Sequence, residues 1–162
     1  VRGKSNGWSG ENWLDIRRLD VLGPIMEARI DACKAKGFAA IDPDNVDGFD
    51  NDTGFPLTAA DQEKFNRFLA AAAHARGLSV GLKNDLEQVA KLVGDFDFAV
   101  NEQCAQYNEC EMLKPFIAQG KPVFEVEYSR TKEQFCAKSL ALGFMPMRKK
   151  LDLDAWMDPC WS

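Results

Sequence analysis

Apolar positions recur at helical spacing over residues 19–36, where Val21, Leu22, Ile25, Met26, Ile30 and Cys33 share a side and Gly37 follows as a stop. The same pattern predicts helices over 59–76, 86–93, 112–119 and 131–142. Gly77, Gly120 and Gly143 close three of them. Thr58 with Asp61 three residues on reads as a capping box for the second helix. Between the helices lie short apolar runs that predict strands over 38–42, 78–83, 96–101, 122–128 and 144–147. Residues 1–10 and 44–57 read as loops, rich in Gly, Asn and Asp.

Uninterrupted alternation of helix and strand predicts an α/β fold with a parallel sheet of five strands. Four strand segments end in acidic or amide side chains: AIDPDNVD, VGLKND, FAVNEQC and FEVEYS. Charge confined to the C-terminal ends of strands marks a parallel α/β enzyme, whose site lies in the loops that follow them. Leu78, Val80 and Leu82 share one face of their strand, and Ser79, Gly81 and Lys83 the other. An open doubly wound sheet is apolar on both faces. A face that turns polar towards the strand ends fits the mouth of a (β/α) barrel better, although five strands fall short of the eight that close one.

Composition narrows the function. With 162 residues and 46% hydrophobic content, the chain suits one domain with a real core. A net charge of −5 argues against nucleic acid and favours a neutral or cationic partner. No apolar run is long enough to span a membrane. The spacing of Cys104 and Cys110 around the turn-like AQYNE predicts a disulfide, and Cys136 with Cys160 is a second candidate pair. Such bridges imply an oxidising compartment; the alternative is five buried thiols in a cytosolic protein. One histidine and no CxxC pair leave no expected metal site, and no nucleotide-binding or serine-hydrolase motif calls for a cofactor.

Candidate chemistry gathers at the strand ends. Asp42 and Asp44 flank Pro43, on the same side of an extended segment and about 7 Å apart. The proline stiffens that segment, which suits either positioned acids or a simple turn. Glu102 ends the third strand and groups by alternation with Phe98 and Val100, unless the strand bulges. Apolar neighbours would raise its pKa, as a general acid requires. Glu125 and Glu127 share a face, and at least one is expected to turn to a barrel interior, with Lys83 as its natural partner. Trp8, Trp13, Phe49, Phe55 and Tyr107 fall in segments read as loops near the strand ends, where rings stack on sugars. A Schiff-base role for Lys83 is a third, minor reading.

Several motifs in one order carry a resemblance: GENWLDIR, DPDNVDG, TGFPLTAADQ, GLSVGLKND, FAVNEQC and VEYS. Together they resemble glycoside hydrolase family 114, the endo-α-1,4-polygalactosaminidase-like proteins. The resemblance implies a TIM (β/α) barrel, present here in part. The five parallel strands correspond to the family's strands four to eight, and its first strands have no counterpart. Residues 1–162 are thus expected to form a single, N-terminally truncated domain. The implied reaction is hydrolysis of internal α-1,4 bonds in a galactosamine-containing polysaccharide by two carboxylates, Asp44 and Glu102, with Asp42 competing for the first role. A separation of about 5 Å between such carboxyls implies retention, and about 6.5–9.5 Å inversion. Asp42, Asn45, Asp47, Lys83, Asn84, Tyr107, Glu127 and Tyr128 are the implied substrate-binding residues, with no cofactor and no metal. The resemblance and the cysteines together imply a secreted protein. The alternative is a non-catalytic sugar-binding or structural remnant of the same fold.

Overall fold

A computed structural model describes residues 1–161. They divide into two compact units, the first spanning 1–80 and the second beginning at 81. Strand β4, Ser79–Lys83, straddles the division.

In the first unit, helix α1 (Leu19–Ala35) and helix α2 (Ala59–His74) form where the apolar spacing predicts them. Thr58 caps α2: its hydroxyl accepts from the Asp61 amide at 3.2 Å, and the Asp61 carboxylate accepts from the Thr58 amide at 2.9 Å. Two orphan donors of the first turn are thereby satisfied. Gly37 and Gly77 take the left-handed backbone that ends each helix, with φ of 83° and 64°. Arg76 binds Asp31 at 2.5 Å, which ties the end of α2 to α1. Strand β3 is only Ala40–Ile41 and pairs parallel with Ser79 and Val80.

The segment expected to be an N-terminal loop is instead half a hairpin. Strand β1 (Arg2–Ser5) runs antiparallel to strand β2 (Asn12–Leu14), with an irregular register between them. Trp13 therefore lies on a strand. The loop after β3 also differs from expectation, because Gly48–Asp50 forms a 3-10 turn that includes Phe49.

In the second unit, the end of β4 pairs parallel with β5 (Phe98–Glu102), β5 with β6 (Val123–Glu127), and β6 with β7 (Met145–Arg148). A further strand, β8 (Asp158–Pro159), runs antiparallel to β7. The sheet is thus mostly, not wholly, parallel. Between the strands lie α3 (Val89–Leu92), α4 (Cys104–Tyr107), α5 (Lys114–Ala118) and α6 (Lys132–Ala141). Tyr107 ends α4 rather than sitting in a loop. The core is built from Leu82, Leu92, Phe96, Ala99, Leu113, Phe116, Val123 and Phe135, each nearly inaccessible. Gly81 is required by close packing: a Cβ there would meet the Phe98 ring at 2.3 Å. Disulfides join Cys104 to Cys110 and Cys136 to Cys160; Cys33 is free. Among the described residues no helix is long and apolar enough to cross a membrane. The chain has the α/β fold of a partial (β/α) barrel.

Candidate functional site

In the first unit, β3 stops at Ile41 and the chain passes through Asp42, Pro43, Asp44 and Asn45. Asp42, Asp44 and Asn45 are exposed, and Asp47 is half-buried. Asn45 has φ of 55°, a left-handed turn that asparagine tolerates. Val46 then plunges into the core. Asp42, Asp44 and Asn45 line the rim of a cavity of about 730 Å³, together with Trp13, over an apolar floor that includes Ile30 and Phe65. A space of that size, with an apolar floor and polar side chains that include Asn12, Arg29, Asp42 and Asp44, suits a small ligand or a short stretch of polymer.

Two side chains overlooked in the sequence hold this turn. The Asn66 amide donates to the Val46 carbonyl at 2.9 Å, and Gln62 donates to the Asn66 amide oxygen at 2.8 Å. Both are buried on α2. The signal was present as two amides four residues apart on the apolar side of an amphipathic helix, a costly placement unless each has a partner. Asn66→Ala is expected to cost about 1–3 kcal/mol, because it leaves the buried Val46 carbonyl without its donor. Chemical denaturation measures that cost.

In the second unit, Glu102 closes β5 in regular register, opposite Val126, with no bulge. It shares a half-buried face with Phe98 and Val100, while Ala99 and Asn101 are buried on the other. Its surroundings are polar, unlike the apolar pocket expected. Lys83 Nζ lies 3.0 Å from Glu102 Oε2, and the Tyr128 hydroxyl donates to Oε1. Lys83, expected to partner Glu125 or Glu127, thus makes an ion pair with Glu102. Asn84 Oδ1 accepts from the Glu102 amide at 2.8 Å and from Asn101 Nδ2 at 3.2 Å. Lys83, Asn84, Glu102 and Tyr128 are therefore one cluster. Tyr107 stands exposed at the end of α4.

Glu125 and Glu127 lie on the opposite face of β6 from Tyr128 and are fully buried. Glu127 Oε1 accepts from the Ala105 amide at 2.8 Å and the Gln106 amide at 3.4 Å, so it caps α4. Burial raises its pKa, opposed by those two amides. Glu125 sits against the Cys104–Cys110 bridge, with Cys110 Sγ 3.9 Å from Oε1. Its Oε2 has no hydrogen-bond partner among the described residues. Burial pushes its pKa up to about 7, and the Ser139 hydroxyl and Lys138 oppose the rise while Glu127 adds to it. Alternation grouped these two acids correctly, but it could not show that their shared face packs beneath helices.

The chain is similar to Ega3 of Aspergillus fumigatus, solved in complex with galactosamine, at 40% identity and a TM-score of 0.90, covering 99% of this chain and 68% of that one. It shares its fold with the glycoside hydrolase domain of PelA from Pseudomonas aeruginosa, at 17% identity and a TM-score of 0.62, covering 94% of this chain and 70% of that one. No curated protein matches. The profile of glycoside-hydrolase family GH114 matches residues 1–162, and the chain belongs to that family.

Proposed function

We propose that this glycosidase hydrolyses internal α-1,4 bonds in a galactosamine-containing polysaccharide. The observation that carries the substrate class is the 40% identity, over 99% of the chain, to a protein crystallised with galactosamine. Two carboxylates perform the reaction: Asp44 as nucleophile or base, with Asp42 as its competitor, and Glu102 as acid/base. Asp44 fits because it stands exposed on a cavity rim held by the buried amides of α2. Glu102 fits because it ends a strand with donors on both of its carboxyl oxygens.

A deacetylated galactosamine polymer is cationic at neutral pH, and a chain of net charge −5 attracts it. Asp42, Asn45, Asp47, Asn84 and Tyr107 are proposed to contact the sugar. Glu127, buried against the amides of α4, supports the fold instead. The disulfides fit a secreted protein. Incubation with a partly deacetylated α-1,4-linked galactosamine polymer tests the reading: new reducing ends and shorter oligomers are expected. Binding without shortening would reduce the chain to a sugar-binding member of its family.

A further inference from the structure

We infer that Lys83 and Tyr128 are positioning residues, which together lock the carboxyl group of Glu102 in one orientation. The inference rests on Glu102 being a reacting carboxylate. Lys83 Nζ engages Oε2 at 3.0 Å, and the Tyr128 hydroxyl engages Oε1. The two donors come from different strands, Lys83 from the end of β4 and Tyr128 from just past β6. Both oxygens are thus held from separate directions, and each keeps a lone pair for a proton.

The main chain beneath Glu102 is fixed as well. The Asn84 amide donates to the Val100 carbonyl at 2.9 Å, which carries the β4–β5 ladder one residue further. Asn84 and Asp85 then turn left-handed, with φ of 52° and 48°. That turn lets the Asn84 side chain fold back to accept the Glu102 amide. Two successive left-handed residues in a non-glycine pair persist only where their surroundings over-determine them.

A glutamate at a strand end has three free side-chain torsions. Left to itself it would spread over many positions, whereas displacement alone by about 1 Å can cost about 100-fold in rate. Lys83 is 11% exposed along its side chain and Glu102 25%. The pair therefore sits at the edge of solvent, where a reacting group can be both held and reached.

The test compares Tyr128→Phe, Lys83→Met, Lys83→Arg and Glu102→Gln in the full chain. Steady-state kinetics on the galactosamine polymer are combined with crystal structures of the variants. Tyr128→Phe removes one oxygen atom and is the least disruptive. It is expected to lower kcat about 10- to 100-fold with KM within about threefold, because the interaction orients the carboxyl and does not bind substrate. Lys83→Met is expected to do the same, and Lys83→Arg to recover part of the loss by restoring the cation. In the Tyr128→Phe and Lys83→Met crystals the Glu102 carboxyl should leave its place. Unchanged kcat, a loss confined to KM, or a carboxyl that stays put would each overturn the inference, and the crystal readout decides even without turnover. A Glu102→Gln variant of full activity would instead sink the reading of Glu102 itself.

Discussion

Asp44→Asn and Glu102→Gln are each expected to lower hydrolysis of the galactosamine polymer by about 10²–10⁴-fold, the range for loss of a group that transfers a proton or attacks in the transition state. Reducing-end assays measure this. The two variants should part company in stability. Asp44 is exposed on the rim of its cavity, so the amide should leave the melting temperature nearly unchanged. The ion pair of Glu102 with Lys83 is mostly buried, and the amide would remove one of its two charges. A drop in melting temperature is therefore expected for Glu102→Gln and not for Asp44→Asn. Asp42→Asn decides between the two acids of the turn: a larger loss there than at Asp44 would transfer the first role to Asp42.

Stability is expected to decline as the solution is brought from pH 4.5 through neutrality, and Glu125 is the main cause. Its folded-state pKa of about 7 lies above the ordinary 4.5. Between those values the folded chain holds a proton that the unfolded chain has released, so rising pH favours unfolding. The contribution is fully present below about 4.5 and is lost as the pH climbs through about 7. The shift corresponds to about 3 kcal/mol. Glu127, raised by burial in the same direction, adds to the slope. Glu125→Gln mimics the protonated acid, so it should flatten the slope and stabilise the chain at pH 8. Urea denaturation at a series of pH values measures this, and an unchanged slope in Glu125→Gln would refute the assignment. Carboxylates such as Asp15 and Asp61 work in the opposite sense. Arg17 holds Asp15 below the ordinary value, and the Thr58 hydroxyl does so for Asp61. Their stabilisation disappears only as the pH falls below about 3.8. Greatest stability is therefore expected on the mildly acid side of neutrality.

Much of this was legible in the residues. The glycine stops at 37, 77, 120 and 143 all adopt the left-handed backbone that ends a helix, and the Thr58–Asp61 box forms as its spacing implies. The expected Cys104–Cys110 bridge forms, and so does the second candidate pair, Cys136–Cys160. The hairpin of β1 and β2 was missed because VRGKS and NWL lack alternation, so the Asn6–Gly7 turn signal between them read as part of a loop. Strand β8 was hidden by its length of two residues and its proline. The surroundings of Glu102 were hidden for another reason. Alternation assigns a residue to a face but not to a neighbour across the sheet, so it placed Glu102 with Phe98 and Val100 without revealing Lys83 or Tyr128. The polar face of β6 misled in the same way. It is buried because α4 supplies two amides to Glu127 and Ser139 of α6 faces Glu125, and neither provision has a signature in the strand itself.

The two residues of β8 also bear on how copies of the chain meet. Pro159 has no amide hydrogen to offer an incoming strand, and Asp158 carries a charge held by Lys132 at 2.9 Å. The Cys136–Cys160 bridge fastens this segment covalently to α6. That flank of the sheet is thereby capped against templated growth, so crowding at high concentration should not seed fibrils from it.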